Sequence, residues 1–167
     1  MKELLIKLRG CSEAREWAGD KTIEEIVEQC HRGDWLLWLA AKIDIGLQPL
    51  TLAKGHCANT VRHLMKDERS IKAVDTAIAF GEGKATREEL DKAADAADAT
   101  AWVAAYVGAA WAAADVAADA AWAAAWADAT DVAAKKENQM KTADICRKYI
   151  GQLIIDKCNE LKTKEIS

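Results

Sequence analysis

The chain has one proline, one phenylalanine and two tyrosines in 167 residues. No stretch alternates β-branched and polar residues in the way a half-buried strand requires, so a sheet is not expected. Its five cysteines, Cys11, Cys30, Cys57, Cys146 and Cys158, lack the paired spacing of a zinc site or a disulfide framework. The opening Met1-Lys2-Glu3-Leu4-Leu5-Ile6-Lys7 is too charged, and its apolar run too short, for a signal peptide. Reduced thiols and a cytoplasmic location are therefore expected. No phosphate-cradling glycine loop is present, because Gly81-Glu82-Gly83-Lys84 reads only as a turn between helices. Most telling is the absence of any Lys or Arg between Ala93 and Ala134.

Those 42 residues hold 24 alanines, six aspartates and four tryptophans. Alanine is the strongest intrinsic helix former, so the run predicts helix. Its regularly spaced aspartates argue against a membrane span, since each would cost several kcal/mol in lipid. The net charge is −4, with 13 basic and 13 acidic residues in 1–84 but 10 basic and 14 acidic in 85–167. An acidic surface repels phosphate backbones, which argues against a nucleic-acid partner.

The remaining punctuation predicts an all-α, compact multi-helix bundle forming a single domain over 1–167. N-terminal helices occupy 1–84, Ala/Asp/Trp-rich helices 85–135, and a last helix 139–161, with a frayed tail. Ser12 is positioned to cap a short helix through Trp17. Thr22 with Glu25, and Thr86 with Glu89, match capping boxes. Gly33 is expected to break one helix and Asp34 to cap the next, which runs to about Asp44. Helices from about Pro49 to Lys66 and from Ser70 to Gly81 follow. A straight helix from Thr86 to Ala134 would span about 70 Å, against a radius of gyration of about 15 Å for a domain of this size. A bend or break near Gly108 is therefore expected.

The candidate binding face is a stripe of Trp111, Asp115, Asp119, Trp122 and Trp126, which fall within about 80° of one another on a helix. Carboxylates sharing a face with indoles are unusual in a core. Tryptophan would anchor a protein partner and aspartate would complement its basic groups. The plainer alternative packs the tryptophans inward and leaves the aspartates solvated or paired with arginine. The same stripe could also join two copies as a homo-oligomer. A second candidate, for a small nucleotide, needs Arg15, Arg32 or Arg62 to converge on Trp17 or Trp35. The ordinary expectation for Trp17, Trp35 and Trp38 is burial in the core. His56, Cys57 and His63 lie on one helical stretch, but their spacing is wider than that of usual zinc ligands. No metal, cofactor or catalytic residue is assigned, and an enzyme remains the least favoured reading.

The order of the pieces carries a resemblance. Cys-Ser-Glu-Ala-Arg-Glu-Trp at 11–17 precedes Gly-Asp-Trp-Leu-Leu-Trp-Leu-Ala at 33–40. Then Gly-x-x-Thr-x-Glu-Glu-Leu at 83–90 leads into the alanine–aspartate array. Over roughly residues 3–150 the chain resembles the Imm5-like family of immunity proteins, also found among bacteriophage-associated sequences. The resemblance implies a small all-helical protein that neutralises a toxin or effector by binding it. The alternative expectation is a phage-encoded counter-defence protein that inhibits a host immune protein or sequesters a nucleotide signal.

Overall fold

A computed structural model describes residues 1–65, 67–98 and 132–166. Their helices are α1 (Lys2–Lys7), α2 (Ser12–Ala18), α3 (Ile23–Gln29), α4 (Gly33–Lys42), α5 (Leu47–Asn59), α6 (Glu68–Gly81), α7 (Arg87–Asp98) and α8 (Val132–Ile166). A 3-10 turn, Arg62–Leu64, separates α5 from α6. The described residues contain no strand, and they form a compact helical bundle. The Ala/Asp/Trp stripe and the expected bend at Gly108 lie outside the described residues.

Helix α8 is the element on which the bundle is built. Ala143, Cys146, Ile150, Ile154 and Cys158 are fully buried, and at 100° per residue they occupy about 120° of its surface. Against this stripe pack α3, α4 and α5, contributing among others Ile23, Ile26, Leu36, Leu39, Leu50 and Ala53. Helix α6 lies on α5 and α7 lies on α6, around smaller clusters containing Ala73, Val74 and Val61, and Ala77, Leu90 and Ala94.

Local chemistry sets most of the boundaries. Both capping boxes form. Glu25 N–H donates to Thr22 Oγ1 at 3.2 Å while Thr22 N–H donates to Glu25 Oε2 at 2.8 Å. Thr86 and Glu89 exchange the same pair of bonds at 2.7 and 3.2 Å.

Several boundaries differ from the sequence reading. Helix α2 is capped by Cys11, whose Sγ accepts from Ala14 N–H at 3.4 Å, and Ser12 is already helical. Helix α6 starts at Glu68, because Asp67 caps it through Arg69 N–H. Helix α5 stops at Asn59 and not near Lys66. Helix α8 starts at Val132 and continues to Ile166, beyond the expected 139–161. Residues 132–139 contain no glycine or proline to stop a helix.

Gly33 does not break a helix. It is the first residue of α4, whose N-cap is Arg32. A Cβ there would lie 2.4 Å from Thr142 Oγ1 and 2.6 Å from the Thr142 carbonyl carbon. Glycine is thus required where α4 meets α8. Asp34 correspondingly engages Arg32 and does not cap α4. Gly81 has the same role between α6 and α5, with Leu52 Cβ 2.4 Å from its would-be Cβ.

Candidate functional site

The C-terminal part of α2, the extended Cys30–Arg32 link and the first turn of α4 converge at one surface. Trp17, on α2, faces Trp35, on α4, with ring centroids 5.9 Å apart and planes at 56°. His31 completes the triangle, 6.1 Å from Trp17 at 77° and 6.4 Å from Trp35 at 54°. These tilted and edge-on arrangements are the favourable ones for aromatic rings. The triangle forms because α3 ends at Gln29 and the link runs extended, which carries His31 between the two helices.

The indoles were expected in the core, but Trp17, Trp35 and Trp38 are only half-buried. Leu36, Leu37, Leu39 and Ala40 fill the interior of α4 and leave the larger rings at its margin. Beneath the triangle is an apolar recess of about 30 Å³ bordered by Leu5, Ile26 and Trp38. That is well below the few hundred Å³ a small-molecule site needs.

Two cations cover the ring faces. Lys21 Nζ sits 4.8 Å from the Trp17 centroid and donates to the Trp17 carbonyl at 2.8 Å. Arg32 Cζ sits 4.6 Å from the Trp35 centroid. Arg32 also makes a forked pair with Asp34, at 2.9 and 2.6 Å, and lies 3.6 Å from Glu13. The hydrogen bonds it donates to Asp34 hold the Arg32 guanidinium above its ordinary pKa, so it is a permanent cation.

Of the nucleotide candidates, Trp17, Arg32 and Trp35 therefore come together. Arg62 does not join them. It stands on the 3-10 turn and makes a forked pair with Asp75 of α6, which lowers the Asp75 pKa. Arg15 is half-buried, and its Nε has no hydrogen-bond partner.

The other sequence candidates are dispersed. His56 stacks on Tyr149 at 4.4 Å with planes 8° apart, and burial lowers its pKa. Cys57 is buried against α8, and His63 lies on the 3-10 turn. Among the described residues no group of three or more His, Cys, Asp or Glu could hold a metal ion. No helix among them is long and apolar enough to cross a membrane.

No family model, curated protein or solved structure matches this chain. The functional reading therefore rests on the residues themselves.

A separate groove of about 550 Å³ runs between α6 and α7, lined by Arg69, Lys72, Lys84 and Lys92 together with Asp75 and Glu89, over an alanine floor. It contains no aromatic residue. Its cations are matched by carboxylates, since Arg69, Lys84 and Lys92 pair with Asp67, Glu82 and Glu88, and none of them stands beside the Trp17 rings. Sequence reasoning identified Trp17, Arg32 and Trp35 but missed His31. The only available signal was its position directly before the Arg32–Gly33 helix start.

Proposed function

We propose that this is an immunity-type binding protein that neutralises a toxin or effector by protein–protein contact. One observation carries the reading: the triangle of half-buried Trp17 and Trp35 with exposed His31, flanked by Arg32 and Lys21. Tryptophan and arginine dominate the energetically important positions of protein interfaces. A ring cluster held by its own edge contacts loses little freedom when a partner covers it. The acidic Trp111, Asp115, Asp119, Trp122 and Trp126 stripe is the second element of the proposal. Its charge would steer a basic partner, raising the association rate more than the lifetime of the complex.

The test pairs the chain with the product of the gene adjacent to its own. Co-purification and rescue of growth are expected with the wild type. Both should be lost when Trp17→Ala and Trp35→Ala are combined in a chain whose circular dichroism still shows the helical fold. Full rescue by that folded variant would refute the proposal.

A second reading, nucleotide capture by a counter-defence protein, draws on the same rings, because Arg32 beside Trp35 pairs a cation with a stacking surface. It is weaker, since Asp34 and Glu13 already engage Arg32 and the arginine occupies the ring face a base would need. A thermal-shift screen of nucleotides separates the two readings. A concentration-dependent rise in Tm would support capture, and no shift with any nucleotide would remove it.

A further inference from the structure

Four of the five thiols are buried, and two of them touch. Cys57 on α5 and Cys146 on α8, 89 positions apart in sequence, have Sγ atoms 3.9 Å apart. Cys57 Sγ also lies 3.7 Å from the Thr142 carbonyl, and Cys146 Sγ lies 3.6 Å from that of Gly33. The pair therefore sits where α4, α5 and α8 meet. Ala53 of α5 and Ala143 of α8 belong to the same buried cluster as the two thiols. The other thiols are placed differently. Cys30 points to the Arg32 carbonyl at 3.4 Å. Cys158 is about 18 Å farther along α8 than Cys146 at 1.5 Å per residue, and Cys11 is exposed on the cap of α2.

We propose that Cys57 and Cys146 are a latent cross-link, which closes to an intramolecular disulfide by exchange with a low-molecular-weight disulfide such as oxidised glutathione. The sulfurs need to approach by roughly 2 Å to reach bonding distance. The Cys57 thiolate attacks one glutathione sulfur. The glutathione S–S bond breaks, and one glutathione leaves as a thiolate that takes up a proton. Cys146 then loses its proton and attacks the Cys57 sulfur of the mixed disulfide, expelling the second glutathione. Two protein thiols are oxidised by two electrons, and one disulfide is reduced to two thiols.

Cys57 is 3 % exposed and Cys146 0 %, so exchange requires a transient parting of α5 from α8 and is slow in the closed state. The product ties α5 to α8 across the segment between them. That is a long loop, for which a cross-link stabilises mainly by restricting the unfolded chain.

The test uses the full chain carrying Cys11→Ser, so that no exposed thiol competes. It is incubated with oxidised glutathione in sub-denaturing urea, returned to buffer and analysed by non-reducing peptide mapping. The expected result is a peptide joining Cys57 to Cys146, a Tm higher by about 5–10 °C, and reversal of both by dithiothreitol. Adding Cys57→Ser should abolish the cross-link. The proposal is overturned if Cys57 and Cys146 stay free, if each carries only its own glutathione, or if the cross-link joins Cys30 to Cys146.

Discussion

Replacing Gly33 by alanine perturbs the seam between α4 and α8 at a single atom. In an isolated helix this substitution is favourable by up to about 1 kcal/mol. Here the new methyl would lie 2.4 Å from Thr142 Oγ1 and 2.6 Å from both the Cβ and carbonyl carbon of the same residue. Two of those three atoms cannot rotate away, and the third is held by bonds from the Thr142 hydroxyl to the Asn138 and Gln139 carbonyls at 3.0 and 2.9 Å. Ordinary contact requires α4 and α8 to separate by about 1 Å, which would loosen the packing of Leu36 and Cys146. Overpacking of this kind costs about 1–3 kcal/mol, and it outweighs the helix-propensity gain. The assay is equilibrium urea unfolding. With a slope of about 2 kcal/mol per molar, the Gly33→Ala midpoint should fall by about 0.5–1.5 M at unchanged slope. Adding Thr142→Ala should restore only part, because it removes one of the three close atoms. A Gly33→Ala midpoint at or above that of the wild type would refute the assignment of Gly33 to close helix contact.

Ile154→Ala empties a fully buried position on α8 and should destabilise by about 2–5 kcal/mol in the same assay. Thr22→Ala removes one half of the α3 capping box and should lower stability by about 1 kcal/mol, read as a Tm shift of a few degrees. Burial pushes the Cys158 thiol up to about 11. The unfolded thiol, at its ordinary 9.0, therefore loses its proton first. The stability this burial confers is complete below pH 9 and is lost as pH rises through 11. Cys30, raised by burial, and Cys146, raised by its contact with the Cys57 thiol and then by burial, act in the same direction. Urea midpoints at pH 8 and pH 10.5 should differ accordingly, and Cys158→Val should shrink the difference. Charge reversal by Asp115→Lys with Asp119→Lys should slow association with a basic partner at low salt, measured by stopped flow, and leave the dissociation rate nearly unchanged.

Features that depend on neighbours in sequence were readable in advance. The boxes at Thr22–Glu25 and Thr86–Glu89, the all-helical class and the turn at Gly81–Gly83 each need only a few adjacent residues. What could not be read depends on distant contact. Gly33 has the local signature of a helix breaker, and only Thr142, more than 100 positions later, shows why a side chain is forbidden there. The burial of Trp17 and Trp35 was misjudged for a similar reason. Large indoles are ordinarily expected inside, yet on α4 Leu36, Leu37, Leu39 and Ala40 take the buried positions and leave Trp35 at the margin. The approach of Cys57 to Cys146 leaves no trace in cysteine spacing, because it joins two helices that are remote in sequence. In α8, alanine and lysine at 133–136 favour helix, while the charged Lys135–Glu137 run reads locally as a boundary. Burial on α4 and α5 fixes the helix beyond it.

The central claim is that the Trp17–His31–Trp35 triangle is a protein-docking surface. Its most direct test is the kinetics of the wild type and of the Trp17→Ala, Trp35→Ala variant binding to the immobilised product of the neighbouring gene. Two anchor rings of about 2 kcal/mol each predict complex lifetimes at least 100-fold shorter for the variant, with little change in association rate. Equal lifetimes for the two proteins, with the helical fold intact in both, would contradict the account.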